Sequence, residues 1–395
     1  MTKAAHDDLR AWLAANTPNG ALSFADRVAW HRKLFDAGLI GLTWPKEFGG
    51  QGREPASQAH LLSEMALIDA PAFVNQAGLE IAGPSIMQFG TPEQKARYLR
   101  PILTGEELWC QLYSEPEAGS DLASLRCRAQ KDGDDFIVNG QKVWTSEAGW
   151  SGFGVLLART DPEAPKHKGI SCFILDMSSA GVEVRPLTQI TGSEHFSEVF
   201  LTDVRVPFAN LIGPLNAGWS VAMSALAFER AGNSLARIVR YQTAWRKLCR
   251  VAGKVTFEGR PLIEHASTRE RLGSVWAEIE TQRLTALRLL EMLDAKEDLG
   301  SLPSMHKLSY SEFERRFADL AQELLGPWGL LAEGYEHADL MVGTSSGEPG
   351  AWPHEAMWAR AVTIFAGTSE IQRNIIADRA LALHSPSTKG FGKLL

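Results

Sequence analysis

Cysteine is scarce in this chain of 395 residues and unpaired in sequence: Cys110, Cys127, Cys172 and Cys249 form no Cys-x-x-Cys. Such scatter fits a reducing compartment and argues against a disulfide framework or a zinc ribbon. The ten histidines show no His-Glu-x-x-His spacing, so no metal is expected. Positive charge is not in excess either. Lys and Arg number 40 against 47 Asp and Glu, a net charge of −7 without a basic block, which argues against a nucleic-acid partner. No apolar run approaches membrane-spanning length, and Met1-Thr-Lys-Ala-Ala-His-Asp-Asp8 lacks an apolar core. Neither a membrane nor a secretory leader is expected, and the expected location is cytoplasmic. Gly-x-Gly-x-x-Gly and Walker patterns are missing, which removes the Rossmann and P-loop routes to a nucleotide. Gly343-Thr-Ser-Ser-Gly347 satisfies Gly-x-Ser-x-Gly, but Glu348-Pro-Gly350 follows where a nucleophile elbow needs a helix, so the segment reads as a loop.

What the chain does have is apolar pattern that changes period twice. With 45% hydrophobic residues it can bury a large core and should divide into two or three domains. Up to residue 107 apolar residues recur at helical spacing, as in Leu9, Trp12, Leu13 and Val28, Leu34, Phe35. Thr91-Pro-Glu-Gln94 reads as a helix start, with a Thr cap, Pro at the first helical position and Gln closing a capping box. Over 108–215 the pattern shortens to strand-like runs, Asp135–Asn139, Gly154–Ala158, Ile170–Leu175 and Val199–Leu201, broken by turns such as Asp132-Gly133. Helical period returns over 216–395, as in Leu284, Leu287, Leu290 and Phe313, Phe317, Leu320, Leu324. Helix, sheet, helix in that order gives an α+β class with segregated layers.

Three segments carry chemistry: Gln111-Leu-Tyr-Ser-Glu-Pro-Glu-Ala-Gly-Ser-Asp121, Asn139-Gly-Gln-Lys-Val-Trp-Thr-Ser146 and Gly367-Thr-Ser-Glu-Ile-Gln-Arg373. The first sets small and hydroxyl residues beside an acidic turn, where main-chain N–H groups can approach an anion closely. The second ends a strand with an aromatic plane and two hydroxyls, which can cover and hydrogen-bond a flat cofactor. Taken singly, each also has a plain structural reading: a turn, a core Trp and a helix N-cap. In this order they resemble the flavin-binding signature of the acyl-CoA dehydrogenase family. The likeness continues through Gly41-Leu-Thr-Trp-Pro-Lys-Glu-Phe-Gly-Gly50, Phe89-Gly-Thr-Pro-Glu-Gln-Lys95 and Val204-Arg-Val-Pro207.

The resemblance implies the family's fold: an N-terminal helical domain (1–107), a middle β domain (108–215) and a C-terminal helical domain (216–395) containing a four-helix bundle. It implies FAD and the α,β-desaturation of an acyl-CoA thioester to the trans-2-enoyl-CoA, with electrons passed to an electron-transferring flavoprotein. Residue by residue, Tyr113, Ser114, Gly119 and Ser120 match positions along the isoalloxazine edge and pyrophosphate. Trp144, Thr145 and Ser146 match those against the ring, and Thr368 and Glu370 match a further FAD-contacting segment. Ser120 and Arg230 resemble CoA-side contacts. The amide of Ala366 matches the one that hydrogen-bonds the thioester carbonyl.

Two departures from the family pattern matter. Many relatives carry the catalytic Glu immediately before Gly-Thr of the third segment, where this chain has Ala366. Other members, those acting on branched, bulky or steroid-derived thioesters among them, take the base from a Glu-Arg pair early in the last domain. Ala227-Phe-Glu-Arg-Ala231 matches that place, so the resemblance assigns the base to Glu229 and leans towards a bulky acyl group. The second departure is the missing Arg-x-x-Phe-Gly segment, which in relatives binds the flavin pyrophosphate across a dimer. Phe257-Glu-Gly-Arg-Pro-Leu-Ile-Glu264 stands in its place, with Arg260 a weak substitute, and the usual glycine-rich segment reads Leu325-Gly-Pro-Trp-Gly329. Two assemblies stay open, a homodimer or homotetramer and a hetero-oligomer with a paralogous subunit. So do two rival roles: a flavin monooxygenase or oxidase on the same scaffold, and a structural subunit of a two-chain dehydrogenase.

Overall fold

Local signals start several elements where the residues ask for them. Thr91 caps a helix with its hydroxyl accepting from the Gln94 amide at 3.2 Å, Gln94 Oε1 accepts from the Thr91 amide at 3.1 Å, and Pro92 occupies the first turn. Ser23 and Asp26 form the same reciprocal box. The computed structural model describes residues 3–18, 22–232, 234–330, 341–343 and 349–383. Of the Gly343–Gly347 pattern, 344–347 therefore lie outside the described residues.

In chain order the helices begin with α1 (Lys3–Asn16), α2 (Phe24–Asp36), α3 (Pro55–Leu67), α4 (Gly83–Phe89) and α5 (Pro92–Thr104). After the strands come α6 (Gly218–Gly232), α7 (Ser234–Lys254), α8 (Ala266–Asp294), α9 (Leu302–Leu325), α10 (Trp352–Val362) and α11 (Ser369–Arg379). The strands are β1 (Trp109–Leu112), β2 (Arg128–Asp132), β3 (Asp135–Ser146), β4 (Phe153–Arg159), β5 (Ile170–Asp176), β6 (Val182–Leu187), β7 (Phe196–Pro207) and β8 (Leu211–Ile212). Contacts divide the chain into two compact units. One comprises Thr17–Glu54 and Phe73–Arg230, the other Met1–Asn16, Pro55–Ala72 and Ala231–Leu395.

The first unit is built on a mixed sheet in the order β6-β7-β3-β2-β4-β5-β8, with β1 parallel to β4 off that path. Strands β4 and β5 are buried along almost their whole length, which matches their unbroken apolar runs. Phe136 and Phe173 meet edge to face at 5.0 Å in the core. Buried amides join helices to sheet. Asn75 Nδ2 donates to the carbonyls of Ile102 and Glu107, and its Oδ1 accepts from the Trp109 amide at 2.8 Å. Gln94 Nε2 donates to the carbonyls of Ala209 and Leu211.

The second unit is helical among its described residues, apart from short two-stranded pairs. Its core draws on Ile238 and Leu248 of α7, Val275 and Ile279 of α8, Phe313 and Phe317 of α9, and Trp352 of α10. The α9 stripe Phe313, Phe317, Leu320, Leu324 is buried as its spacing predicts. On α8 the outcome differs. The buried seam runs Leu272, Val275, Ile279, Gln282, Ala286, Leu289, whereas Leu284 is 59% exposed. Both stripes have helical spacing, so period alone could not choose between them. No described helix is long and apolar enough to cross a membrane.

Candidate functional site

In the sheet unit the first two signature segments are held side by side. Val143 donates its amide to the Ser114 carbonyl at 3.0 Å. Glu115 and Ala118 exchange main-chain hydrogen bonds at 3.1 and 3.0 Å, closing a tight turn around Pro116. Beyond the turn Gly119 and Ser120 are exposed, and their amides have no hydrogen-bond partner among the described residues. Such a run of free N–H groups can receive a diphosphate.

At the end of β3 the backbone is strained. Lys142 lies opposite Val199 and Thr145 opposite Ser197, so β3 takes three steps where β7 takes two. The extra residue is a β-bulge, and Trp144 within it has φ 59°, a left-handed conformation that costs a bulky residue on the order of 1–3 kcal/mol. The result is a Trp side chain 60% exposed, its ring resting edge-on against Phe196 at 5.9 Å. Alternation then turns Thr145 inward, fully buried, and Ser146 outward. Gly140 supports the arrangement: a Cβ there would come within 2.7 Å of the Cys127 backbone.

Beneath this strip lies a buried ion pair. Lys142, with no exposed surface, donates from Nζ to Glu115 Oε1 at 2.8 Å and to the Tyr113 carbonyl at 3.0 Å. The carboxylate also accepts from the Arg126 amide at 2.6 Å and the Cys127 amide at 2.9 Å. Neither Lys142 nor Glu115 stands out in sequence, where a charged side chain in a strand reads as solvent-facing. The signal was the period-2 alternation of β3: Phe136 and Val138 point inward, and Lys142 falls on the same side.

In the helical unit the third signature segment forms the turn between α10 and α11. Ala366 has φ 52° and Gly367 φ 88°. Gln372, almost fully buried, donates to the carbonyls of Ala366 at 3.1 Å and Gly367 at 3.4 Å. The Ala366 residue is exposed, and its amide has no partner among the described residues. Thr368 caps α11, accepting from the Ile371 amide at 3.2 Å. Glu370 is exposed, and hydrogen bonds from its own amide and the Thr368 hydroxyl hold its carboxyl below the usual range.

The sequence-derived residues thus divide. Ser120, Gly119, Trp144 and Ser146 are exposed on the sheet unit and Ser114 is half-buried, while Tyr113 and Thr145 are buried as whole residues. Glu229 and Arg230 lie on α6, but their side chains lie outside the described residues. Arg260 sits at an exposed hairpin, 3.7 Å from Glu264.

The strip suits a flavin on its own chemistry: an aromatic face held out by strained backbone, a hydroxyl beside it and unpaired amides further along. Family models for the acyl-CoA dehydrogenase N-terminal, middle and C-terminal domains match residues 4–106, 110–204 and 216–381. The chain belongs to the acyl-CoA dehydrogenase family and is an FAD-dependent oxidoreductase. It is 39% identical to the acyl-CoA dehydrogenase IpdE1 of Mycobacterium tuberculosis over 361 residues, which cover 91% of this chain and 89% of that protein. The ChsE4-ChsE5 complex from Mycobacterium tuberculosis matches with a TM-score of 0.83 at 29% identity over 97% of each chain. The Tcur3481-Tcur3483 steroid ACAD also matches at 0.83 and 29%, over 98% of this chain and 99% of that one.

Proposed function

We propose that this protein dehydrogenates a bulky, branched or cyclic acyl-CoA thioester to its trans-2-enoyl-CoA in the cytoplasm, with an electron-transferring flavoprotein as electron acceptor. The observation that carries the reading is Ala366. Its amide, without a partner among the described residues and held in a turn of fixed left-handed geometry, is preorganised to donate to a thioester oxygen. Such a donor stabilises the enolate-like charge that builds up as the α-proton leaves. An Ala where many relatives carry Glu also removes a carboxymethyl group from one wall, which leaves room for a wider acyl group. A relationship to a steroid ACAD supports the same substrate class.

Glu229 takes the α-proton, and an apolar, water-poor setting raises a carboxylate's basicity for that step. Trp144 covers the cofactor's ring, Ser114 and Ser146 hydrogen-bond its edge, and Gly119 and Ser120 receive its diphosphate through main-chain N–H groups, with Tyr113 and Thr145 as their buried neighbours in sequence. Thr368 and Glu370 hold a further part of the cofactor, and Ser120 and Arg230 contact CoA. FAD, when bound, supplies the two-electron acceptor for the β-hydrogen. The hairpin around Arg260 lacks the Arg-x-x-Phe-Gly element, which favours a paralogous subunit completing the cofactor site over a homo-oligomer.

Anaerobic bleaching of the flavin band at about 450 nm tests the reading, using straight-chain, branched and cyclic acyl-CoAs on the chain alone and with a paralogue. Bleaching by the bulky class is expected, with Glu229→Gln retaining FAD and bleaching at least about a thousandfold more slowly. Equal bleaching by wild type and variant would remove Glu229 from the chemistry, and bleaching only by straight-chain thioesters would overturn the substrate class.

A further inference from the structure

We propose that Glu115 and Lys142 are a positioning pair that sets Ser114 against the Trp144 bulge, an inference that rests on the reading of this strip as the FAD surface. Every hydrogen bond of the pair ends on a segment of that surface or on the chain leading from it. Lys142 Nζ binds the carbonyl of Tyr113 and the carboxylate of Glu115, the two residues that flank Ser114. The carboxylate in turn holds the amides of Arg126 and Cys127 at the entry to β2. Ser114 is therefore fixed from both sides by one ammonium group that sits two residues before Trp144 in sequence. The amide of the residue between them, Val143, also donates to the Ser114 carbonyl. Displacement of Nζ would move the hydroxyl of Ser114 and the Trp144 plane relative to each other.

Stability alone is a poor reason for this pair. Removing two charges from water costs several kcal/mol per ion, and an apolar pair of similar volume often gives a fold at least as stable. A fully bonded ion pair has one advantage over apolar packing: its directional bonds allow a single geometry. Here each of the bonds ends on the main chain or on the partner charge, so the geometry they specify is that of the backbone under the strip.

Single and double substitutions separate positioning from stability. Lys142→Met and Glu115→Gln are each expected to weaken FAD binding at least about tenfold and to alter the shape of the visible flavin band, with Lys142→Arg closer to wild type. The double variant E115M/K142M removes both charges together. It is expected to regain the melting temperature of wild type while FAD affinity and band shape stay impaired. The measurements are FAD fluorescence titration, visible spectra and melting of the apoprotein, in whichever assembly of wild type holds FAD. A double variant with wild-type affinity and spectrum would show the pair to be structural and overturn the inference, as would single variants with unchanged affinity and spectrum. A wild type that binds no FAD in either assembly would instead overturn the reading of the strip itself.

Discussion

Two buried charge clusters, one in each unit, are bonded in opposite ways. In the sheet unit Lys142 and Glu115 are both bonded to each other and to main-chain atoms. In the helical unit Glu314 Oε2 accepts from Tyr241 at 2.5 Å with Arg237 at 3.4 Å, but among the described residues Glu314 Oε1 and both ring nitrogens of His306 are buried without a hydrogen-bond partner, and Glu355 Oε1 has only His354 Nδ1 near it, at 3.6 Å. Burial and the nearby Arg237 charge push the His306 imidazole down to about 4, which keeps it neutral. A fully satisfied network can rigidify a core, whereas a buried polar group left unpaired is costly. The surfaces differ at their most prominent groups: Trp144 and Ser146 present side chains on the sheet unit, and Ala366 presents a main-chain amide on the helical unit.

The largest effect expected from this contrast is at Glu355 on α10. Burial raises its carboxyl from 4.5 to about 7, with the Glu314 charge adding to the rise and His354 and Arg240 opposing it. Between those values the folded chain holds a proton that the unfolded chain has released. Stability should therefore fall as pH rises from about 4.5 to 7, by about 3 kcal/mol in all. Glu355→Gln, which mimics the protonated acid, should remove that fall and be more stable than wild type at pH 8. Urea midpoints at pH 5 and pH 8 measure it. Parallel pH profiles for the two proteins would break the contrast, because the buried Glu355 carboxyl would then not be the group that titrates.

How far the sequence foretold all this depends on how local each signal was. The Thr91 capping box, the strands of the sheet unit and the α9 stripe rest on neighbours within a few residues, and they were legible. On α8 two apolar stripes competed, and the exposure of Leu284 depended on packing that no single helix encodes. Within the candidate site, the motifs marked segments but not the direction of each side chain. Thr145 faces inward because a bulge precedes it, and no glycine marks that bulge: Trp144 itself adopts the left-handed conformation. Lys142 was hidden because its partner Glu115 lies 27 residues away, across a turn and a strand.

If the sheet unit contributes side chains, Trp144 can be removed without harming the fold. At 60% exposure it supports little core, so Trp144→Ala should leave the melting temperature within a degree or two. FAD affinity should drop about tenfold, the scale of one aromatic stacking contact, and Trp144→Phe should recover part of it. Fluorescence titration beside a thermal melt separates the two readouts. A large loss of stability with FAD affinity intact would make Trp144 a structural residue and leave the sheet unit without its most exposed aromatic contact.

The smallest effect tests the opposite claim, that the helical unit contributes main chain. At φ 52° Ala366 carries strain that glycine would not, worth about 1 kcal/mol, while glycine's freer unfolded chain costs about 0.4–1 kcal/mol. Ala366→Gly should thus change stability by less than about 1 kcal/mol and keep the bleaching rate, because the amide and the two Gln372 bonds remain. Ala366→Val keeps the same amide but places a β-branched side chain where the left-handed region resists it. It should lose stability and slow bleaching together, since the turn must rotate away from the geometry that aims the N–H. If Gly slowed the reaction as much as Val, the Ala methyl group would be pressing on the acyl chain, and Ala366 would be acting through its side chain as well as its amide.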